Sequence, residues 1–376
     1  MFSKRSLLIC FLALSSFSSL KAQDSSKLAW YQAVTLKGLV MGSTVYNFNH
    51  PQDNTNQLRV YDIDAGSLEL DLVSLSLRHD AQRGEAGFRF DADLGPHIPM
   101  IDRSLGLEMG RIDVRQAFLT YLAPIGSGLK IDVGKFTTPC GYELIEGPDG
   151  VSDNASHSFL FGYALPYTHT GIRLGYSIVD QLAISAMLVN GWDNSIDNNT
   201  AKTVCAQVTW TPNANANIAL AGIIGPEKNA NTTDERMVAD LAASYKITEY
   251  LLIGVSADYG KEQNDVFPGP TADSGRQNIS PSDAIWKGVA GYAKAIFTDK
   301  FSVALRAEVF DDPNAVRTGT AQSLHEYTLT PIWQITPTLT LKSDLRYDLS
   351  SQPVFEHDGG FVTDQSTVSL NVLYSF

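Results

Sequence analysis

The sequence predicts an all-β fold: a transmembrane antiparallel up-and-down β-barrel of about sixteen strands, closed on itself. Three observations predict it. Side chains alternate between apolar and polar in segment after segment, the links alternate between short and long, and aromatic residues gather at segment ends.

The N-terminus comes first. Residues 1–22 read as a signal peptide, with Lys4 and Arg5 ahead of an apolar stretch from Leu7 to Leu14 and a Ser-rich run reaching Ala22. Leu20 is larger than the usual residue three before a cleavage point, so cleavage after Ala22 carries a few residues of slack. Residues 23–376 are then expected to form one barrel domain. No later stretch approaches the roughly 18 apolar residues that a spanning helix needs, which excludes a helical membrane protein. Formal charge is −13, and loss of the leader's three basic residues, Lys4, Arg5 and Lys21, makes the remainder more acidic still. Nucleic acid is thereby excluded as a partner. Cys10 leaves with the leader, so Cys140 and Cys205 allow one disulfide at most and leave two unpaired thiols as the alternative.

Period-2 alternation is clearest in the last segment, where Val368, Leu370, Val372, Tyr374 and Phe376 alternate with Thr367, Ser369, Asn371, Leu373 and Ser375. Similar segments fall near 33–48, 66–78, 84–95, 111–123, 128–137, 167–178, 181–192, 202–211, 216–225, 236–247, 249–260, 286–297, 299–310, 322–334, 338–348 and 364–376. A split or merged segment would make the strand number about fourteen or eighteen. The second segment changes phase between Val73 and Leu75, as a bulge would make it do. Even-to-odd links are brief, such as Val179 to Asp180 and Thr248, whereas odd-to-even links include 49–65, 138–166, 261–285 and 349–363. Short turns on one rim and long loops on the other are what outer-membrane barrels have. Trp30, Tyr31, Tyr46, Tyr121, Tyr176, Trp210, Tyr245, Tyr259, Phe297, Phe301, Trp333 and Tyr374 would form the two girdles at the lipid headgroups.

In lipid, alternation sends apolar residues outward and leaves the rest facing a lumen too wide for side chains to fill. The expected pore-lining residues are Arg89, Asp91, Asp93, Arg115, Lys130, Asp132, Arg173, Arg306, Glu308, Lys342, Asp344 and Arg346. Such charges must be hydrated or paired, and hydration means a channel for small hydrophilic solutes. Both signs are present, which argues against strong ion selectivity, although facing rows of opposite charge would set up a transverse field.

Several stretches resemble the OmpL-like β-barrel porin family. They are Val133–Phe136, Phe161–Tyr163, Leu165–Gly171, Asn190–Asp193 with Asp197–Asn199, and Arg306–Glu308 ahead of Phe310–Asp312. The resemblance covers most of the chain beyond the leader. It implies an outer-membrane pore and brings no defined solute. By analogy with general porins, the apolar-rich link 138–166 is expected to fold into the barrel as a constriction loop, with Glu143, Glu146, Asp149 and Asp153 narrowing the pore. An extracellular flap is the alternative. The same analogy suggests a homotrimer, and Phe376 is the expected signal to the barrel-assembly machinery in the outer membrane of a Gram-negative bacterium.

Asp193, Asn194, Asp197, Asn198 and Asn199 are better explained as turn formers than as Ca²⁺ ligands. His169 near the mouth reads as a polar wall residue. An outer-membrane barrel hydrolase or a surface adhesin is the alternative function, but no Gly-x-Ser-x-Gly elbow or paired-cysteine metal signature is present, and the histidines are scattered, with His157 lying beside the hydroxyls of Ser156 and Ser158. No cofactor or metal is expected.

Overall fold

Alternation becomes strand because each such segment can satisfy its backbone only by pairing with two neighbours once it lies in lipid. The computed structural model describes residues 33–95, 112–265 and 282–376. The first half of the barrel comprises β1 (Thr35–Asn47), β2 (Leu68–His79), β3 (Ala86–Leu94), β4 (Ile112–Ala123), β5 (Leu129–Thr137), β6 (Thr168–Val179), β7 (Leu182–Val189) and β8 (Thr203–Asn213). The second half comprises β9 (Ala216–Pro226), β10 (Glu235–Thr248), β11 (Leu251–Asp265), β12 (Ser282–Thr298), β13 (Phe301–Asp312) and β14 (Gln322–Thr336). It ends with β15, interrupted into Leu339–Lys342 and Leu345–Ser350, and β16 (Asp364–Ser375). Every strand pairs antiparallel with its sequence neighbours, and β16 returns to pair with β1, Leu39 opposite Ser375 and Asn47 opposite Thr367. The sheet is therefore a closed sixteen-stranded barrel, as the alternation predicts. A small hairpin, Phe355–His357 with Gly360–Val362, decorates the loop between β15 and β16. No helix among the described residues is long and apolar enough to cross a membrane.

Polarity is inverted relative to a water-soluble protein. Leu75, Leu77, Phe90, Leu119, Ile172 and Leu174 are exposed, whereas Ser74, Ser76, Asp91, Thr120 and Asp132 on the opposite faces are buried. Tyr46, Tyr121, Trp210, Tyr245, Tyr259, Trp333 and Tyr374 are exposed rings as expected, and Phe297, Phe301 and Trp333 stack in a row at 5.8 and 5.4 Å. Trp30, Tyr31 and the expected leader lie outside the described residues.

Three local expectations need correction. The phase change in β2 falls earlier than Val73–Leu75: the register with β1 shifts between Met41 and Ser43, opposite Leu72 and Glu69. A bulge there rotates Asp71 and Ser74 onto the same inward face. β15 is broken at Ser343 and Asp344, which alternation alone did not indicate. Part of the inner wall is apolar, because Phe136, Met187, Val189, Trp286, Phe310 and Leu324 form one buried cluster with Phe159, Leu160 and Leu165 of the β5–β6 link. That link needs an apolar seat, and the wall supplies it.

Candidate functional site

The β5–β6 link, hereafter L3, runs inward and is fixed to the wall on both sides of the lumen. Its apolar half ends in a π-helical turn, Leu160–Ala164, whose Phe159 and Leu160 backbone N–H groups donate to the Glu308 carboxylate at 2.7 and 2.5 Å. Trp286 Nε1 donates to the Ala164 carbonyl at 3.1 Å. The polar half is held by charge. Arg306 reaches Glu143 at 2.9 Å and Glu326 at 2.8 Å, and also donates to the Ser156 carbonyl at 2.6 Å. Asp344 accepts from the Ser156 backbone N–H and hydroxyl, both at 2.7 Å, and from Thr330 Oγ1 at 2.7 Å. The break in β15 sits beside this anchor. Arg346 donates to the His157 carbonyl at 2.5 Å, Lys342 donates to that of Ser152, and Lys294 pairs with Asp153 at 2.6 Å.

Across the lumen, Asp149 is met by Lys37 at 2.9 Å, Arg78 at 3.0 Å and Arg89 at 2.6 Å. Arg115 donates to the Ile145 carbonyl at 3.3 Å and pairs with Asp93 at 2.9 Å. The loop thus makes contacts with both sides of the inner wall.

All twelve expected lining residues sit on the inner wall, but they divide in two. Arg306, Glu308, Lys342, Asp344 and Arg346 are buried under L3 and act as its anchors, as do Arg115 and its buried partner Asp93 on the other side. Arg89, Lys130 and Arg173 keep water-accessible side chains, with their partners Asp91 and Asp132 buried behind them. Arg173 also lies over Phe136 at 4.4 Å.

The four L3 acids divide likewise. Glu143 and Glu146 are buried, whereas Asp149 and Asp153 reach water. Burial pushes the Glu143 carboxyl up, but Arg306 and His157 outweigh it and hold the group well below the usual carboxylate range. Burial dominates at Glu146, with Lys342 and His157 offsetting it in part, and its carboxyl is raised. At Asp149, the opposing burial is overcome by Lys37, Arg89 and Arg78, and the carboxyl is lowered.

The remaining candidates are structural. His169 is buried, with Nδ1 at 2.9 Å from the Gly191 carbonyl and Nε2 at 3.3 Å from Thr138 Oγ1. Asp197 and Asn199 accept backbone N–H groups two or three residues ahead, and Asp193 accepts those of Tyr167 and Thr168 at 2.7 and 2.8 Å. Cys140 and Cys205 are free buried thiols in contact with each other.

Sequence reading missed Arg78, Glu326 and Asp348, although each falls on the polar phase of its strand, and it missed Lys37, which shares its face of β1 with Leu39, Met41 and Val45 and so carries no such signal. Arg59, which pairs with Asp348 at 2.7 Å, and Arg317, whose Nε donates to the Tyr163 carbonyl at 2.5 Å, come from loops that carry no periodicity.

Solved structures with the same architecture include the outer-membrane channel DcaP of Acinetobacter baumannii, 13% identical with a TM-score of 0.62 over 91% of this chain and 97% of that one. The anion-selective porin from Comamonas acidovorans is 13% identical with a TM-score of 0.63, covering 91% and 99%. OmpF of Salmonella typhi, solved in complex with daunomycin, is 14% identical with a TM-score of 0.57, covering 91% and 97%. At such identities the likeness is one of fold. No curated protein matches the chain. The profile of the family described as "Putative beta-barrel porin-2, OmpL-like" matches residues 33–376, and the chain, a sixteen-stranded barrel bridged by its third loop, belongs to that family.

Proposed function

We propose that this porin is a passive diffusion channel for small hydrophilic solutes, set in the outer membrane of a Gram-negative bacterium and exported by residues 1–22. The observation that carries the reading is L3, a loop tied by ion pairs to opposite walls, with hollows left beside it. One hollow of about 310 Å³ is lined by Arg89, Arg115, Asp149 and Tyr292. A loop that merely plugged the barrel would have no need of water-accessible charge along one flank, since such groups are stable only when hydrated or paired.

Purified protein in planar bilayers is expected to give stepwise, voltage-independent conductance at low potential. Removing residues 142–157 is expected to raise the unit conductance severalfold. An unchanged conductance would show that L3 is not the constriction.

We infer no catalytic role. His157, between Ser156 and Ser158, is sealed under Tyr61 and Phe161 with ring centroids at 4.8 and 4.0 Å, and its Nδ1 is 2.9 Å from Glu143. The neighbouring Ser156 hydroxyl is spent on Asp344. Homotrimeric assembly is part of the proposal, since a barrel of the same fold from Vibrio cholerae, 14% identical with a TM-score of 0.56, is described in trimer form. Chemical cross-linking of the folded protein in detergent tests it, with a three-chain band expected.

A further inference from the structure

We propose that the solutes this channel passes are small anions bearing carboxylate or phosphate groups, guided by cationic side chains from the loop-side vestibule past L3 to the turn-side mouth. The inference rests on the pore reading above and supplies its solute class.

The chain is acidic overall, at −13, so an interior lined at random would favour cations. The interior is not random. On β3 to β6 the Arg115–Asp93 and Lys135–Asp113 pairs are buried at both ends, and the pairs that reach water keep the acid in the wall and the base outward: the Asp91 side chain is 0% exposed and Arg89 22%. Asp132 is 1% exposed, against 20% for Arg173 and 49% for Lys130. An ion in the channel therefore meets guanidinium or ammonium before carboxylate. The accessible acid that L3 presents to this flank, Asp149, is met by three cations.

The vestibule repeats the arrangement. A hollow of about 550 Å³ is lined by Arg236 and Arg317 together with Trp192 and Asp193, and by Arg59, which is buried and paired with Asp62 and Asp348 and so presents no open charge. The guanidinium carbons of Arg236 and Arg317 lie 4.8 and 4.9 Å from the Trp192 ring centroid, and Arg317 is 5.2 Å from that of Trp286. Arg236 has its acid, Glu262, buried behind it. Arg317 has no carboxylate in ion-pair range among the described residues, and its one side-chain hydrogen bond goes to the Tyr163 carbonyl. Two guanidiniums on one indole repel each other, and an anion between them relieves that repulsion. The planar fork of arginine matches carboxylate and phosphate, which gives the solute class.

The hollows follow one another. The vestibule and the central hollow share Leu165 and Tyr167, and the central hollow shares Arg89 with a turn-side hollow of about 210 Å³ that also holds Lys130. Cations thus recur at three successive levels, and low-dielectric walls focus their field on the water between.

The test is the zero-current potential of the purified full barrel in a planar bilayer under a potassium chloride gradient. Chloride is expected to be the more permeant ion. Arg317→Gln and Lys130→Gln are each expected to lower the chloride-to-potassium permeability ratio by about two-fold, the effect of removing one charge roughly 8 Å from the ion path in water. Lys130 is half-exposed with one partner at 3.4 Å, so its glutamine variant leaves folding intact even where Arg317→Gln disturbs the loop. A conducting barrel that prefers potassium, or neither ion, overturns the anion assignment, as does an unchanged ratio in both variants. A folded barrel that never conducts overturns the pore reading itself and the anion assignment with it.

Discussion

Glu143 and Asp193 are both loop carboxylates, and their surroundings send them in opposite directions. Glu143 lies against Arg306 and His157 and stays ionised. Glu143→Gln removes one of the two acids that hold Arg306, and Glu326 keeps the other. The expected cost is about 1–3 kcal/mol, less than that of stranding a buried charge outright. Single-channel traces should become noisier as L3 loosens. Asp193 is pushed up to about 7, burial outweighing the N–H groups of Thr168 and Tyr167 and the nearby Arg317, with Glu227 adding to the rise. A raised acid favours the folded state below its ordinary pKa, and that contribution is lost as pH rises through about 7. Thermal unfolding in detergent should show about 1–2 kcal/mol of stability lost between pH 5 and pH 9, the partial exposure of the loop being discounted. Asp193→Asn should flatten that dependence, and an unflattened curve would assign it elsewhere. The inner-wall charges were legible because period 2 assigns each strand residue a face. That Arg306 and Asp344 would anchor a loop while Arg89 stayed open to water was not legible, because alternation gives the face but not what lies against it.

Among the elements, β11 is shaped to receive its neighbours. A Cβ on Gly254 would meet the Tyr142 hydroxyl at 2.3 Å and its ring at 2.4 Å, and one on Gly260 would meet Trp286, its cross-strand partner, at 1.9 Å. Tyr142 in turn stacks on Tyr292 with ring centroids 4.1 Å apart. Gly254→Val is therefore expected to push the start of L3 out of place while the barrel still folds. Its unit conductance should change, and its heat-dependent gel mobility should not. The sixteen strands themselves could be read from sequence to within a few residues, because lipid on one side and water on the other enforce strict alternation. The bulge in β2 and the break in β15 escaped because each serves a local contact. Bending β2 brings Asp71 to Ser43 Oγ at 3.0 Å, and the break beside Asp344 accompanies its hold on L3.

For the whole molecule, an outer surface of leucine, valine and aromatic residues around a charged interior means that the folded chain has no stable home in plain water. Transfer from detergent to buffer should precipitate it, whereas far-ultraviolet circular dichroism in detergent should be dominated by strand. The same wall explains how an acidic polypeptide can favour anions inside: its carboxylates are placed behind its bases, so the sign that matters is the one nearest the water.

The seam between β1 and β16 has a consequence for assembly. Its partners come from opposite ends of the sheet's sequence, so this junction has the largest separation along the chain and the greatest loss of freedom to form. It is expected to close last. Until then two unsatisfied strand borders are open to any other extended peptide, so the unfinished sheet must be chaperoned through its passage or it will stitch itself to a stranger.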